Sequence, residues 1–204
     1  MVDQILGNYS ERSNACEYLT LAFSPGGAPL RSRWRNNGLS ADFLGDYVIT
    51  FLPGDSGMGA AENRRSQLKH AVTYVANELL ENAMKYHERH VDVPIGIHLE
   101  LTSNHITVSV SNGIGAGQAQ LYRAFVENLL KGNAADLLLR KQEEAAECKD
   151  SAISCLGLLT MVNDYDAQLG WRFTAHPAHS EIVTVTTSVV LALTTPRERP
   201  HEKH

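Results

Sequence analysis

Three polar side chains with complementary chemistry recur at helical spacing in the middle of the chain: Glu78, Asn82 and Lys85. At roughly 100° per residue, positions i, i+4 and i+7 lie within about 60° of one another, so these side chains share one helix face. A carboxylate can accept a proton from a hydroxyl or from water. An amide oxygen suits Mg²⁺, and an ammonium can neutralise phosphate charge. The same spacing also fits a solvated helix face with a Glu–Lys pair.

The segment that positions these side chains is predicted to be an amphipathic helix over residues 67–90. Apolar residues recur there at helical spacing and form a single stripe. The stripe comprises Leu68, Ala71, Val72, Val75, Ala76, Leu79, Leu80 and Ala83. The segment contains no glycine or proline, and Pro94 disfavours helix in the residue before it. Glu78 and Asn82 are therefore expected at the edge of a buried surface.

The remaining segments predict an α+β fold. Alternation of apolar and polar residues indicates strands, and the intervening turn residues indicate hairpins. Strands are predicted over residues 18–23, 46–52, 95–101, 105–111, 170–175 and 181–193; helices over 40–45, 118–149 with a break near 132–133, and 151–165; and glycine-rich loops over 54–59 and 112–117. This order predicts a two-layer α/β sandwich, with helices on one face of a mixed, mostly antiparallel sheet.

Residues 77–86, Asn-Glu-Leu-Leu-Glu-Asn-Ala-Met-Lys-Tyr, resemble the N-box of the GHKL superfamily, whose ATP-binding domain has the Bergerat fold. The superfamily includes gyrase, Hsp90, histidine kinases, MutL and the anti-sigma serine kinases. The resemblance implies that Glu78 is the catalytic base, that Asn82 coordinates Mg²⁺ and that Lys85 contacts the phosphates of ATP.

A second family motif, Asp-x-Gly-x-Gly after a strand, binds the adenine base. The matching positions here are Ser111, Asn112, Gly113 and Gly115, and Ser111 stands where the family has the aspartate. A serine or asparagine can still hydrogen-bond the base, although without the charge-assisted contact. The resemblance therefore implies a site for the adenine base at the end of the strand predicted over residues 105–111.

A third family motif is a glycine-rich turn at the start of a helix, whose backbone amides bind phosphate. The segment around Gly157 and Leu158 resembles this turn and retains one glycine. Residues 117–150 take the position of the family's lid over ATP and are unusually helical. The resemblance thus implies that Gly157 and Leu158 lie close to the phosphates.

The motifs together are most similar to small stand-alone kinases of bacterial partner-switching systems, the SiaB-like and anti-sigma serine kinase domains. This resemblance implies a protein-serine/threonine kinase that uses ATP and Mg²⁺ on a small regulatory partner of the anti-sigma-antagonist kind. The departures at Ser111 and around Gly157 leave open a degenerate GHKL domain that binds a protein partner with weak or no nucleotide binding. A chance match within an unrelated α/β fold is the third alternative.

The composition fits one domain with a single core, since the chain has 204 residues of which 43% are hydrophobic. Its net charge of -5 offers no strong attraction to nucleic acid or to an anionic membrane. No apolar run approaches the roughly 20 residues that span a bilayer. The first residues lack a secretion-signal pattern, and three cysteines without a paired spacing favour a reducing cytoplasm.

The ATP-binding domain is predicted over residues 46–195, with an N-terminal extension over 1–45 and a disordered tail over 196–204. The extension could serve in a homodimer, which the sequence leaves open. His87 and His90 are three residues apart on the predicted helix, which would allow a shared face for a metal ion. No third ligand follows from the spacing. The metal ion that the resemblance implies is Mg²⁺, held by Asn82.

Overall fold

The computed structural model describes residues 3–11, 15–24, 30–52, 59–88, 91, 93–132, 136–137 and 156–193. Its elements in chain order are β1 Gln4–Gly7, β2 Glu17–Phe23, α1 Leu30–Thr50, α2 Gly59–Tyr86, β3 Ile95–Leu101, β4 His105–Gly115, α3 Ala116–Lys131, α4 Leu156–Tyr165, β5 Gln168–Ala175 and β6 Ile182–Ala192. Within these ranges, no helix is both long and apolar enough to cross a membrane.

The six strands form one sheet in the order β1-β5-β6-β4-β3-β2, and all five neighbouring pairs are antiparallel. In β4, Ile106, Val108 and Val110 are buried, whereas the alternating Thr107 and Ser109 are only partly buried. The apolar side of the sheet packs with the helices in one hydrophobic core. The predicted α+β sandwich is therefore confirmed, and the sheet is antiparallel throughout the described strands rather than mixed.

Helix α2 forms because its apolar residues complete this core. Val72, Val75, Ala76 and Leu80 are fully buried in it, as expected of a stripe at helical spacing. The helix predicted over residues 67–90 is confirmed, although it begins earlier, at Gly59, and ends at Tyr86. Beyond its end the chain turns toward the sheet, where the backbone N–H of Glu88 donates to the carbonyl of Gly113 over 2.8 Å.

The strand predicted over residues 46–52 is wrong, because α1 continues as a helix through Thr50. The short helix predicted over 40–45 is part of this longer one. The side chains of Ala41, Leu44 and Val48 are buried at helical spacing, in the face of α1 that packs on α2. This packing outweighs the strand propensity of the aromatic and β-branched residues in the segment.

The end of α1 is capped from α2. The guanidinium of Arg65 donates to the carbonyl of Ile49 over 2.9 Å and to that of Leu52 over 3.2 Å. These carbonyls belong to the helix terminus, where no further turn supplies a donor. The predicted glycine-rich loop over 54–59 falls almost wholly outside the described residues, and Gly59 is already the first residue of α2.

The other predicted strands are confirmed, most of them with shifted ends. Strands β2, β3, β5 and β6 match their predicted ranges within two residues. The loop predicted over 112–117 is instead the end of β4 and the start of α3, and α3 ends beside Gly132, as the predicted break requires. The predicted helix over 151–165 is described from Leu156 onward. Residues 138–150 and the predicted tail lie outside the described residues.

The N-terminal segment reaches both edges of the sheet, since β1 and β2 pair with β5 and β3 respectively. Residues 8–11 between them cross β5 on the side away from the helices. There a β-carbon on Gly170 would lie 2.6 Å from Cα of Tyr9, so glycine is required for the crossing. Arg172 holds the segment through ion pairs with Asp3 and, at 2.9 Å, with Glu11. A domain division at residue 45 stays a prediction.

Two glycines of α1 test its packing on α2. A β-carbon on Gly45 would lie 3.2 Å from the carbonyl oxygen of Lys69 and would overlap the hydroxyl of Thr73. We expect Gly45→Ala to lower the free energy of unfolding by about 1–2 kcal/mol through overpacking. Gly38→Ala is the matched control: its β-carbon meets no atom within 4 Å, so it should raise stability by up to about 1 kcal/mol. Urea unfolding followed by circular dichroism measures both, and a Gly45→Ala variant as stable as Gly38→Ala would contradict this packing.

Candidate functional site

A cavity of about 230 Å³ lies between α2, the sheet and the two helices that follow β4. Most of its walls are apolar, and a few amide and hydroxyl groups project into it. The walls are Leu79, Asn82, Ala83 and Tyr86 of α2, Val110, Asn112 and Ile114 of β4, Val185 and Thr187 of β6, Gln118, Leu121 and Tyr122 of α3, and Leu158 of α4. An apolar cleft with a small number of polar groups is the usual form of a small-molecule site.

The α2 wall follows from the helix periodicity. Leu79 and Ala83 belong to the buried stripe, and Asn82 lies beside them at the edge of the core, partly buried. Asn82, which the sequence predicts to be a site residue, is thus part of the cavity wall.

Glu78 lies one helical turn before Asn82, and its side chain packs against Gly157 in the first described turn of α4. A β-carbon placed on Gly157 would lie 2.8 Å from Cδ of Glu78, which real β-carbons essentially never do. The lack of a side chain at position 157 is therefore what lets the carboxylate lie there. Two of the predicted site residues, from separate motifs, are thus in contact.

The surroundings of Glu78 disfavour its charge. Burial raises the pKa of the Glu78 carboxyl above its ordinary value, and the negative charge of Glu81 raises it further. The carboxylate of Glu81 is held by Asn77, one helical turn earlier, whose side-chain amide donates to it over 2.9 Å. Partial burial and a raised pKa are common properties of carboxyl groups that transfer protons.

The contact between α2 and α4 is reinforced next to Glu78. The rings of Tyr74 and Tyr165 lie 5.5 Å apart between centroids. Burial raises the pKa of Tyr74, and a hydrogen bond with Thr160 offsets part of that rise. These contacts fix the distance between the two helices, and with it the position of the Glu78 carboxylate.

Lys85 is not part of the cavity wall. Its side chain is exposed, and its ammonium lies over the ring of Tyr86 at 5.1 Å from the centroid. The structure therefore separates the predicted trio: Asn82 lines the cavity, Glu78 contacts Gly157, and Lys85 is on the solvent side.

The sheet forms the floor of the cavity. Asn112 is buried and stands opposite Val185 of β6, while Val110 stands opposite Thr187. Because side chains alternate along a strand, residues 110, 112 and 114 share the cavity side. The polar groups on this floor are the amide of Asn112 and the hydroxyl of Thr187.

Ser111 is on the opposite side of the sheet. A β-carbon on Gly96 of β3 would lie 3.4 Å from Oγ of Ser111, on the face away from the helices. Gly113 packs against Val93, and Gly115 lies near the carboxylate of Glu88. Of the residues predicted from the second motif, Asn112 is the one whose side chain lines the cavity.

The α3 wall was not predicted from the sequence. Gln118, Leu121 and Tyr122 line the cavity from this helix, and the indole N–H of the buried Trp171 donates to the hydroxyl of Tyr122 over 2.9 Å. The bond anchors α3 to β5. The amphipathic pattern of α3 indicated a helix, but nothing in it indicated which side chains would reach the site.

Comparison with known proteins supports the fold. No protein-family model matches the chain, and no curated protein matches it. Among solved structures, a chain in the crystal structure of the SiaB–SiaC complex from Pseudomonas aeruginosa is similar in fold, with a TM-score of 0.55 and 16% sequence identity. The match covers 84% of this chain and 89% of that one.

The raised pKa of Glu78 predicts how stability depends on pH. Above the ordinary value of 4.5, the folded chain holds the Glu78 proton where the unfolded chain releases it. The free energy of unfolding should therefore fall with rising pH until the folded carboxyl ionises. Glu78→Gln removes this loss, so its stability relative to the wild type should increase with pH. Urea unfolding across about pH 4–8 measures this stability difference. Glu62→Gln on the same helix is the charge control. A stability difference between Glu78→Gln and the wild type that does not change with pH would contradict the raised pKa of Glu78.

Proposed function

We propose that this chain is an ATP-binding protein of the GHKL type that acts as a serine/threonine protein kinase on a small regulatory protein. One observation carries the proposal: a single cavity brings Asn82 of α2 and Asn112 of β4 to its walls, while Glu78 lies against Gly157 at its side. Three segments that resemble separate family motifs thus converge in space.

The cavity fits the base of a nucleotide better than a whole nucleotide. Its volume of about 230 Å³ lies below the range of roughly 300–1,000 Å³ for sites that enclose a drug-sized ligand. Apolar side chains line it, and the amide of Asn112 can both donate and accept hydrogen bonds at the edge of a base. Thr187 beside it adds a hydroxyl. Base recognition is thereby assigned to Asn112, with Ser111 on the wrong face to take part.

The residues present also fit Mg²⁺ held mainly by the nucleotide. Asn82 offers one amide oxygen, and no cluster of three His, Cys, Asp or Glu side chains is found in the described ranges. Mg²⁺ commonly takes one or two protein ligands together with phosphate oxygens and water. Gly157 and Leu158 would contact the phosphates. A role for Lys85 in steadying them stays a prediction, since its ammonium is on the solvent side.

The chemistry assigned to Glu78 is general base catalysis. ATP supplies the phosphoryl group: the hydroxyl oxygen of a serine or threonine of the partner bonds to the γ-phosphorus, and the bond to the ADP oxygen breaks. Glu78 accepts the hydroxyl proton, for which its raised pKa is suited. Burial against Gly157 holds the carboxylate in one place and limits its access to water.

The partner is proposed to be a small regulatory protein. The fold resembles that of a chain solved in a complex of two proteins, SiaB and SiaC, which supports a protein rather than a metabolite as the acceptor. The net charge of -5 gives no support to nucleic acid as the acceptor.

A binding module without catalysis is the second candidate function. The described residues that line the cavity include no charged side chain, so none of them neutralises phosphate there. The Glu78 carboxylate lies beside Gly157, where a phosphate would be expected. A chain of this kind would keep the fold, lose the nucleotide and regulate its partner by docking alone.

Nucleotide titration separates the two functions. We expect Mg²⁺–ATP to bind the wild type and Asn112→Ala to weaken binding about tenfold, because a hydrogen-bonding group that faces the base is lost. Ser111→Ala is the matched control from the neighbouring position, and its affinity should stay within about twofold because it faces the other side. Isothermal titration calorimetry measures all three. No binding heat for the wild type at millimolar nucleotide would favour the module, and equal losses in both variants would overturn the assignment of Asn112.

Phosphate transfer should depend on pH through Glu78. The rate of transfer to a purified partner, followed by mass shift, is expected to rise with pH as the carboxyl ionises. Glu81→Gln removes the like charge that raises the pKa of Glu78, so the rising limb should move to lower pH. Glu78→Gln should abolish transfer while nucleotide binding remains. Transfer by Glu78→Gln at the wild-type rate would remove the residue from the mechanism.

A further inference from the structure

The solvent side of α1 carries a line of large apolar side chains, named here the aromatic ridge: Leu39, Phe43, Tyr47 and Phe51. These residues follow one another every four positions, so they lie along one side of the helix and its final turn. Leu39 is 63% exposed, Phe43 49% and Phe51 40%, while Tyr47 is partly buried. The three rings contact in sequence, with centroids 6.1 Å and 5.0 Å apart.

The core accounts for Tyr47, which packs partly against it, but not for Leu39 and Phe43. Ala41, Leu44 and Val48, which are buried, lie on the side of α1 away from Leu39 and Phe43. A helix on the surface of a domain usually has one apolar face, with polar residues toward water. Here Leu39 and Phe43 add a second apolar strip on α1, which is exposed to solvent. A continuous exposed apolar patch of this kind usually marks a protein interaction site.

Acidic residues border the ridge on one side. At roughly 100° per residue, Asp42 and Asp46 lie on the same flank of the helix, next to Leu39 and Phe43. Asp46 forms an ion pair with Lys69 of α2, yet its side chain remains 58% exposed. An incoming surface therefore meets apolar rings with the Asp42 carboxylate and the Asp46–Lys69 pair alongside. The carboxylates favour positive charge on that surface, which would share Asp46 with Lys69.

A second copy of the chain fits this surface poorly. Two ridges packed face to face and antiparallel would bring the aspartates of both copies together, and each chain carries a net charge of -5. The ridge also spans only about 18 Å, or twelve residues at 1.5 Å each. A stable dimer needs roughly 800 Å² from each partner, which three partly exposed side chains do not supply. The dimensions fit a few turns of one helix.

We propose that the aromatic ridge is a docking surface for an amphipathic helix of another protein, whose apolar face is bordered by lysine or arginine. The rings bury against the apolar side of that helix at positions i, i+4 and i+7. Asp42 and Asp46 pair with its basic border. This site lies on α1, outside the cavity, so its occupation does not depend on nucleotide.

The test uses a defined probe, a fluorescein-labelled amphipathic peptide of leucine and lysine about 18 residues long, or five helical turns. Fluorescence anisotropy with the full chain should give saturable binding. The double variant Phe43→Ser and Phe51→Ser should weaken it about tenfold or more. Ile5→Ser with Leu130→Ser is the matched control, since these residues are 48% and 45% exposed elsewhere, and it should leave the affinity within about twofold.

Charge provides the second arm of the test. The double variant Asp42→Asn and Asp46→Asn should weaken the lysine peptide and reduce its dependence on salt. A peptide with glutamate in place of lysine should not bind. Equal affinity of the Phe43 and Phe51 variant and the wild type, or binding of the glutamate peptide, would overturn the proposal. A wild-type dimer in sedimentation that the same double variant dissociates would show instead that the ridge binds a second copy.

Discussion

Helix α2 has to bury one side in the core and present the adjacent side to a site, and the rest of the structure depends on this double role. Its apolar stripe completes the core with β3 and β4. Glu78 and Asn82 stand directly beside that stripe, so neither can move far without disturbing packed residues. Helices α1 and α4 pack on α2 as well. Through these contacts α2 positions the aromatic ridge of α1 and Gly157 of α4.

The contact of Glu78 with Gly157 links packing to chemistry. Burying a carboxylate has a cost in solvation, which the raised pKa expresses. In a kinase, the raised pKa would make Glu78 a better base for the reacting hydroxyl. In a binding module the same contact would only join α2 to α4. The two functions therefore differ in what approaches Glu78, and the fold accommodates both.

The sequence predicted the parts of the fold that repeat regularly and missed those decided by contacts between distant segments. The stripe of α2 and the alternation in β4 each follow one period over many residues. Residues 46–52 looked like a strand because Tyr47, Val48, Ile49 and Phe51 favour one, but packing of Val48 against α2 selects a helix. At the site, Ser111 and Asn112 were both predicted, and because one residue reverses the face of a strand, the Asn112 side chain is the one that lines the cavity. The α3 wall depends on the bond between Trp171 and Tyr122, which no local pattern encodes.

We propose that a nucleotide lies between α2 and the sheet, with its base against Asn112 and its Mg²⁺ held by Asn82. The most direct measurement follows the side-chain amide resonances of these residues by ¹H–¹⁵N NMR while Mg²⁺–ATP is added to the labelled protein. The account predicts that both amide pairs shift, while that of Asn104 in the exposed β3–β4 hairpin does not. Unchanged resonances of Asn82 and Asn112 in a sample that binds the nucleotide would contradict it.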